Sequence, residues 1–320
     1  MSKMWRKRFS NMDDTPNKRT WDHFVRWQKS RRSVIKDYSF VISNETEIDL
    51  DYLHRNRAEN SLTWIGHATF LVKMGGLNIV TDPVWARQMA MYPRLTPPGI
   101  ALSQMPKIDM VLISHSHYDH LHFKSIRGIK GDPYFFVPEG LGQKFINKGF
   151  KRVEEFTWWD AKKMNDIEIS FVPAQHWSKR TPWDTNASHW GGWVLGDKYK
   201  KETVYFAGDS GYFPGFKEIG TRFDIDYALM PIGAYEPEWF MGMQHVSPEE
   251  AVQAFLDLRA TTFIPMHYST FRLADDTPWE ALVRLQTEWK RRGLERDRLA
   301  ILRLGEVLKT GDQGEESSTV

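Results

Sequence analysis

The stretch Ile113-Ser114-His115-Ser116-His117-Tyr118-Asp119-His120 places three imidazoles and a carboxylate within six residues, directly after an apolar run. Such a run is typical of a buried strand. Packing alone does not explain the cluster, because each buried imidazole would need its own hydrogen-bond partner. Alternate residues His115 and His117 point the same way from an extended segment, whereas Asp119 and His120 can turn toward a second ion. The spacing therefore predicts two adjacent metal ions, and two metal ions imply hydrolysis.

Three further candidate ligands each follow another apolar run of the chain. They are His176 after residues 171–175, Asp209 after residues 205–208, and His267 after residues 263–266. Gly208 and Gly211 permit a close backbone approach around Asp209. The two oxygens of that carboxylate can bridge two ions. We expect the ends of these strands to bring all the candidates into one site.

The composition limits the kind of metal and the class of partner. The chain has 320 residues, enough for one large domain or two modest ones, and its apolar share of 41% allows a sizeable core. It contains no cysteine, so disulfides and thiolate ligands are excluded. Nitrogen and oxygen donors favour zinc, iron or manganese over metals selected by soft sulfur ligands. A formal net charge of +2 gives no reason to expect a nucleic-acid partner.

The charge is unevenly distributed along the chain and sets an N-terminal segment apart. Residues 1–36 carry eleven Lys or Arg against three Asp, a local charge of +8 that leaves −6 for the remainder. We predict a basic arm, partly helical around residues 21–27, that is either a solvated tail or a contact for an anionic phospholipid surface. Residues 37–310 are predicted to form one hydrolase domain, and residues 311–320 a disordered tail.

The chain shows neither a secretory signal nor an apolar run of the roughly 20 residues that a membrane span needs. The expected location is the cytoplasm, with a peripheral position on the inner face of a membrane if the protein acts on lipid.

Apolar runs and helix caps predict the order of the elements. The predicted strands are residues 62–73, 77–81, 110–114, 134–137, 167–172, 192–195, 203–206, 227–230, 262–265 and 299–302. Gly75-Gly76 predicts a hairpin between the first two. Ser247 before residues 248–258 and Thr277 before residues 278–292 predict capped helices with a proline in the first turn. Strands grouped early and then alternating with helices favour two packed sheets with helices outside.

The histidine loop, residues 113–120, resembles the His-x-His-x-Asp-His signature of the metallo-β-lactamase superfamily. The resemblance implies an α/β protein with a four-layer αββα sandwich and a site at one edge of the two sheets. It also implies two zinc ions, the first held by His115, His117 and His176, the second by Asp119, His120 and His267, with Asp209 as the bridge. A bridging carboxylate points away from true β-lactamases and toward the phosphodiesterase, lactonase and thioesterase branches.

A narrower resemblance covers residues 62–305 and includes residues that are not ligands. The matching stretches are Trp64-Ile65-Gly66-His67-Ala68-Thr69, Thr81-Asp82-Pro83, Gln175-His176-Trp177, Lys179-Arg180-Thr181, Phe206-Ala207-Gly208-Asp209, Pro231-Ile232-Gly233-Ala234-Tyr235-Glu236-Pro237, Trp239-Phe240, Gln244-His245-Val246 and Pro248-Glu249-Glu250-Ala251-Val252. They resemble the N-acylphosphatidylethanolamine-hydrolysing phospholipase D family, in which threonine is more frequent at the position of Ser210. The resemblance implies hydrolysis of N-acylphosphatidylethanolamine to N-acylethanolamine and phosphatidate, by attack of a metal-held hydroxide on phosphorus.

Asp209 and His245 are the predicted catalytic residues. His245 lies just before a helix cap, and the family resemblance places it at the substrate, where it contacts a phosphate oxygen or assists the leaving group. Asp82 is predicted to hydrogen-bond a ligand histidine from the end of its strand. The remaining histidines considered, His67, His122 and His189, are predicted to be structural or exposed, and a position near the site stays open for His67.

A lipid substrate would need an apolar groove, and two irregular segments offer one. The first contains Trp85, Met89, Met91, Tyr92 and Leu95, and the second contains Tyr235, Trp239, Phe240, Met241 and Met243. Methionine and aromatic side chains adapt to flexible acyl chains. Ordinary packing of the core or of a lid is the competing interpretation.

The preferred hypothesis is thus a binuclear zinc phosphodiesterase with a phospholipid substrate and peripheral membrane contact, and a homodimer stays open. The closest alternative is a metal-dependent hydrolase of a soluble phosphodiester or a lactone. A nuclease that uses the basic arm to hold RNA is disfavoured, because residues 37–320 are net acidic. A non-catalytic binding protein is disfavoured by the complete ligand set.

Overall fold

Two β-sheets form the centre of the computed structural model, which describes residues 7–14, 21–31 and 35–311. The strands are β1 (Ser61–Gly66), β2 (Thr69–Met74), β3 (Leu77–Thr81), β4 (Gln88–Met89), β5 (Tyr92–Pro93), β6 (Met110–Leu112), β7 (Tyr134–Pro138), β8 (Val153–Phe156), β9 (Ala161–Met164), β10 (Ile167–Val172), β11 (Gly192–Asp197), β12 (Glu202–Phe206), β13 (Tyr227–Pro231), β14 (Thr262–Met266) and β15 (Val307–Lys309). The first sheet has the order β15-β1-β2-β3-β6-β7-β8, and the second β14-β13-β12-β11-β10-β9. Strands β4 and β5 pair only with each other.

Both faces of the first sheet are buried, which explains why its strands are apolar throughout. Along β2, Phe70 and Val72 pack between the two sheets, whereas Leu71 belongs to a separate cluster on the outer face. Successive side chains of a strand point to opposite faces, so this alternation follows from the pleat. The outer cluster includes Leu53 and Phe145 from helices that cover this face. A sheet covered on both faces has no polar side, and its strands lose the polar alternation.

Helices cover the outer face of each sheet and complete four layers. The helices are α1 (Trp21–Arg31), α2 (Leu50–Arg55), α3 (Phe123–Arg127), α4 (Gly142–Ile146), α5 (Gly215–Arg222), α6 (Glu238–Met241), α7 (Pro248–Leu258) and α8 (Pro278–Arg291), with 3-10 turns at Leu102–Gln104 and Arg296–Arg298. Helices α2, α3 and α4 pack on the first sheet, and α7 packs on β13 of the second between α5 and α8. The αββα sandwich predicted from the sequence is confirmed.

The two capped helices begin where the sequence predicts. Ser247 accepts a hydrogen bond from the backbone of Glu250, whose side chain reaches back to the backbone N–H of Ser247. Thr277 and Glu280 form the same reciprocal pair at the start of α8. Each capping box satisfies two N–H groups that the helix leaves without a partner, which stabilises the first turn.

Two strand predictions need correction. Five strands were missed: the short pair β4 and β5, and three strands of the two main sheets. Residues 62–73 form two strands, because the chain turns at residues 66–69 where β1 and β2 pair. Residues 299–302 make only an isolated bridge, from Leu299 to Phe263. The missed strands β8, β9 and β15 all lie at sheet edges. Edge strands face water on one side and tolerate charged residues, so they lack the apolar pattern of central strands.

The described parts of the basic N-terminal segment contact the domain. Residues 7–14 lie along the loop that leads to β11, with Phe9 stacked on the ring of His189. In helix α1, Arg31 forms an ion pair with Asp275 at 2.7 Å. The rest of the predicted arm, residues 1–6, 15–20 and 32–34, lies outside the described residues, as does residues 312–320 of the predicted tail. Within the described ranges, none of the helices has the length and apolarity that a membrane span requires.

Candidate metal centre

The candidate ligands lie on loops that leave the ends of four strands. The histidine loop follows β6 of the first sheet, and His176, Asp209 and His267 follow β10, β12 and β14 of the second. Gly208 has a φ of +61°, and a side chain at this position would come within 2.7 Å of Ser114. Glycine therefore lets the loop that carries Asp209 approach the histidine loop. The two sheets meet at this edge, and their ligands converge there.

The first group of ligand atoms contains three imidazole nitrogens. His115 Nε2 lies 2.9 Å from His117 Nδ1, which in turn lies 3.1 Å from His176 Nε2. Asp209 Oδ2 lies 4.0 Å from His115 Nε2 and 3.9 Å from His176 Nε2. Four zinc ligands at bond lengths of about 2.0–2.1 Å in a tetrahedron are about 3.3 Å apart. The spacing of this group fits a single divalent ion.

The second group shares the same carboxylate. His120 Nε2 lies 3.2 Å from Asp209 Oδ2 and 3.2 Å from His267 Nε2. His267 Nε2 is 3.0 Å from Asp209 Oδ1, and Asp119 Oδ2 is 3.3 Å from His120 Nε2. Asp209 thus contacts both groups, in the position that the sequence assigned to a bridging ligand. The structure brings together all seven predicted ligands, and the donors fit two divalent ions.

In three of the candidate ligand histidines, the Nδ1 atom contacts a neighbouring oxygen, and this contact determines which ring nitrogen could bind a metal ion. Nδ1 of His176 donates to the carbonyl oxygen of Gln244 at 3.0 Å. Nδ1 of His115 lies 2.9 Å from the Ser114 hydroxyl, and Nδ1 of His120 lies 2.7 Å from Asp82. A proton held on Nδ1 leaves the Nε2 lone pair free for a metal. These contacts pre-orient three imidazoles as Nε2 ligands.

Asp82 occupies the place predicted for it, beside a ligand histidine. Its carboxylate accepts hydrogen bonds from the backbone N–H and the hydroxyl of Ser114 and lies against the ring of His120. Burial raises the pKa of this carboxyl, and its hydrogen bonds and the His120 ring oppose the shift. The residue links the start of the histidine loop to a ligand of the second group.

Burial and neighbouring charges shift the pKa values of the candidate ligands in both directions. Burial lowers the pKa of His115 and His176 well below the ordinary value, and neighbouring imidazoles add to the effect. Burial alone would raise the pKa of Asp209, but the imidazoles of His120 and His267 outweigh it and hold this pKa well below its usual range. Burial also lowers the pKa of His267, but Asp209 outweighs it and raises the value to about 9. A cation that binds there would release this proton.

Two residues beside the centre had no predicted role in it. His67, assigned a structural role from the sequence, lies 3.0 Å from Asp119 through Nε2, with its ring 4.0 Å from that of His267. Arg180 is partly buried, and its guanidinium donates to the carbonyl oxygens of Ser116 and Leu121. It therefore holds the backbone of the histidine loop. The only sequence signal was their presence in stretches that match the family but are not ligands.

His245 lies at the opening of the centre. Its Nδ1 is 3.8 Å from Asp209 Oδ2, and its ring is 5.2 Å from that of His176. It lines a cavity of about 860 Å³ that also reaches His117, Asp119 and Asp209. The position between the ligands and the cavity allows His245 to contact a bound substrate.

The lining of the cavity is mostly apolar and includes two cationic side chains. Its lining includes Ala86, Met89, Trp177, Pro182, Met241 and Leu273, together with Lys179 and Arg180. Of the two predicted lipid-binding segments, each therefore contributes one methionine to the wall. Tyr235 and Phe240 are buried instead, whereas Met91, Trp239 and Met243 are exposed.

The other two histidines have identifiable structural roles. His122 accepts a hydrogen bond from Ser125 at the start of α3, and its side chain also lines the cavity. His189 is buried between the rings of Phe9 and Trp158. Burial lowers the pKa of His189 to about 3, with Lys7 contributing, so this imidazole is neutral in the folded protein.

Comparison with known families matches residues 77–268 to the β-lactamase superfamily domain, which is more than half of the chain. The chain belongs to the β-lactamase superfamily. The matched region of this superfamily member includes the histidine loop, His176, Asp209 and His267. It ends one residue after the last of these ligands.

Individual relatives are named as hydrolases. An N-acyl-phosphatidylethanolamine-hydrolyzing phospholipase D of Caenorhabditis elegans is 38% identical over 229 residues, which cover 65% of this chain and 64% of the relative. A metal-dependent hydrolase of Pyrobaculum arsenaticum is 30% identical over 253 residues, 78% of this chain and 99% of the relative. Igni18, a metallo hydrolase from Ignicoccus hospitalis, has a similar structure, with a TM-score of 0.58 and 24% identity over 78% of this chain and 98% of Igni18.

The extent of these matches differs between relatives. This chain spans slightly less than two thirds of the length of the worm phospholipase, but nearly all of the archaeal hydrolase. At 24% identity, the likeness to Igni18 concerns the fold alone.

Proposed function

We propose that this metal-dependent hydrolase of the β-lactamase superfamily is a binuclear zinc phosphodiesterase that hydrolyses N-acylphosphatidylethanolamine to N-acylethanolamine and phosphatidate. The observation that carries the proposal is a carboxylate, Asp209, in contact with both ligand groups at the base of a partly apolar cavity. The named activity of the worm relative supplies the substrate class. Zinc is favoured because five of the seven ligands are imidazoles and the others are carboxylates.

Two divalent ions, when bound, make hydroxide available at neutral pH and neutralise charge on a phosphoryl group. The protein's own groups would position the diester around them. His245 stands beside Asp209, where its ring can donate to a phosphate oxygen or to the leaving oxygen. Lys179, an exposed cation on the cavity lining, can attract the anionic phosphate. The apolar wall can accept an acyl chain.

Exposed apolar residues beside the cavity support peripheral contact with a membrane. Met91, Trp183 and Met243 are all exposed, and each is adjacent or close in sequence to residues that line the cavity. Exposed apolar side chains next to a binding site favour contact with lipid, and tryptophan suits the interface of a bilayer. In this arrangement, a phospholipid could enter the cavity without leaving the bilayer surface completely.

The proposal is tested with purified, zinc-loaded protein and vesicles that contain N-acylphosphatidylethanolamine. We expect equimolar release of N-acylethanolamine and phosphatidate, and loss of both products in Asp209→Ala. A soluble phosphodiester and a lactone serve as parallel substrates. Hydrolysis of either of these, with none of the phospholipid, would favour the alternative hydrolase. Zinc analysis of the same protein should give about two ions per chain, and a clearly lower content would contradict the binuclear mechanism.

A further inference from the structure

A short N-terminal stretch reaches the metal centre from outside the matched superfamily region. Asn11 is only 4% exposed, and its side-chain oxygen accepts a hydrogen bond from the backbone N–H of His176 at 3.1 Å. The same oxygen accepts from the indole N–H of Trp190, also at 3.1 Å. Residue 11 lies far before residue 77, where the superfamily match begins. A buried acceptor from the basic segment therefore sits directly on a candidate ligand.

His176 has a special place in the first ligand group. His115 and His117 come from one loop of the first sheet, whereas His176 comes from the second sheet, after β10 has ended. The imidazole of His176 is held at Nδ1 by the carbonyl oxygen of Gln244. Its backbone N–H is held by Asn11. Two separate contacts, one on the ring and one on the backbone, thus set where Nε2 of His176 points.

The stretch that carries Asn11 is anchored on the domain by the residues before it, and a turn closes it after Asn11. Phe9 donates its backbone N–H to Asn186 and stacks on the ring of His189 at 4.4 Å. Lys7 forms an ion pair with Glu139 at 2.8 Å. The backbone N–H of Asp14 donates to the carbonyl of Asn11 at 3.1 Å, which closes a turn after it. These contacts hold the Asn11 side chain where it meets His176.

We propose that Asn11 is a positioning residue for the first ligand group, so that the N-terminal segment is part of the functional unit. The proposal rests on the binuclear centre of the proposed function, but it is independent of the substrate. Contacts that orient a metal ligand without touching the metal typically change metal affinity by about 10–100-fold when they are removed. Removal of the Asn11 acceptor should therefore weaken the binding of the ion at His115, His117 and His176. The ion at Asp119, His120 and His267 should be affected much less.

The test measures zinc affinity by competition with a chromophoric chelator, with the full-length protein. We expect Asn11→Ala to lower the affinity for one of the two zinc ions by about 10–100-fold and to change the affinity for the other by less than about threefold. Asn11→Asp retains the acceptor oxygen and should restore the affinity to within a few fold. Asn60→Ala is the matched control, because Asn60 is also buried and donates to Asp197, at the far end of β11 from the centre. This control should leave both affinities unchanged.

Two results would overturn the proposal. One is that Asn11→Ala binds both ions with wild-type affinity. The other is that its affinity for both ions falls equally and Asn11→Asp does not restore it, which would indicate general destabilisation. If Asn11→Ala does not fold, Asn11→Ser keeps a polar group in place but shortens it, and the same selective loss is expected. Because zinc binding needs no substrate, failure to hydrolyse the phospholipid would leave this result unaffected.

Discussion

His245 Nδ1 lies 3.8 Å from the carboxylate of Asp209, and its side chain lines the cavity. We predict that His245→Ala lowers kcat by about 10²–10⁴-fold, the range typical of a lost proton-transfer or phosphate-binding group. The zinc content should stay at about two ions per chain. His122→Ala is the control, because His122 also lines the cavity but caps α3. Loss of a zinc ion from His245→Ala would show that His245 is a ligand instead.

Asp82 orients a ligand of the second group. Asp82 now accepts hydrogen bonds from the His120 ring and from the backbone N–H of Ser114. In Asp82→Asn, the amide N–H₂ would face one of these two donors and that hydrogen bond would be lost. We expect a loss of about 10–100-fold in affinity for one zinc ion, measured by chelator competition. Asp226→Asn is a suitable comparison, since Asp226 accepts from the backbone N–H of Thr203 at the other end of the second sheet. Equal losses in both variants would argue against an orienting role.

His189 predicts how stability depends on pH. Its pKa is lowered from 6.5 to about 3, so below pH 6.5 the unfolded chain takes up a proton that the folded protein refuses. The free energy of unfolding should therefore decrease as the pH is lowered below 6.5, by about 1.4 kcal/mol per pH unit for this group. In His189→Phe this contribution disappears, so the stability of wild type relative to the variant should decline between pH 6.5 and pH 5. Urea unfolding of both proteins measures it, and parallel pH curves would refute it.

At the scale of single residues, the close spacing of candidate ligands along the sequence decided which site residues could be predicted. Four of the seven ligands lie within the six residues that end at His120, and such a cluster is hard to explain by packing. Single residues such as Asn11 and His67 carry no comparable signal. An asparagine 165 positions before His176 becomes informative only when the fold places it 3.1 Å from that backbone.

Helix α1 shows how a peripheral element supports the cavity. Its Trp27 stacks on Phe240 with ring centres 5.0 Å apart and donates its indole N–H to Asp275 at 2.7 Å. Trp27 also shares a small apolar cluster with Met241, whose side chain lines the cavity. The helix therefore stands behind one wall of the site.

Truncation of this tryptophan should loosen that wall. We predict that Trp27→Ala lowers the free energy of unfolding by about 3 kcal/mol, the lower end of the range for buried tryptophan. It should raise KM for the lipid substrate with zinc affinity unchanged, because none of the seven candidate ligands is a member of this cluster. Urea unfolding and steady-state kinetics measure the two effects. Trp279→Ala, at a site where the side chain is 55% exposed, should cost less than 1 kcal/mol, roughly the effect of a surface substitution.

Among the elements, central strands and capped helices were predictable, and edges were not. The two helices with a capping box begin at the predicted residues, since the cap is a local interaction. The missed edge strands of the two main sheets, β8, β9 and β15, include the sequences VEEF and AKKM. Their pairing is decided by a neighbouring strand rather than by their own residues, so their sequences do not indicate it.

The candidate metal centre combines ligands from loops of both sheets, so ion binding should stabilise the whole molecule. The histidine loop belongs to the first sheet, and the other three ligands belong to the second. We predict that chelation lowers the melting temperature and that zinc restores it. An ion that binds only the folded state contributes about 4 kcal/mol at a free concentration 1,000-fold above its Kd.

Differential scanning calorimetry with and without chelator measures this effect. Calcium, which prefers oxygen ligands, should not restore the melting temperature of a centre with five imidazoles. Equal melting temperatures with and without chelator would contradict the linkage between the ions and the two sheets.

The sequence by itself indicated two packed sheets with helices outside and a metal-binding histidine loop, because these depend on local patterns: apolar runs, capping residues and closely spaced ligands. The four-layer sandwich and the superfamily came from its resemblance to a known family. The same resemblance also suggested the set of seven ligands. Only the tertiary structure decided that Asp209 contacts both ligand groups, that His67 holds Asp119, and that the basic segment inserts Asn11 beneath His176. These contacts join residues far apart in the chain, and their distances arise from the packing of two sheets, which no local pattern encodes.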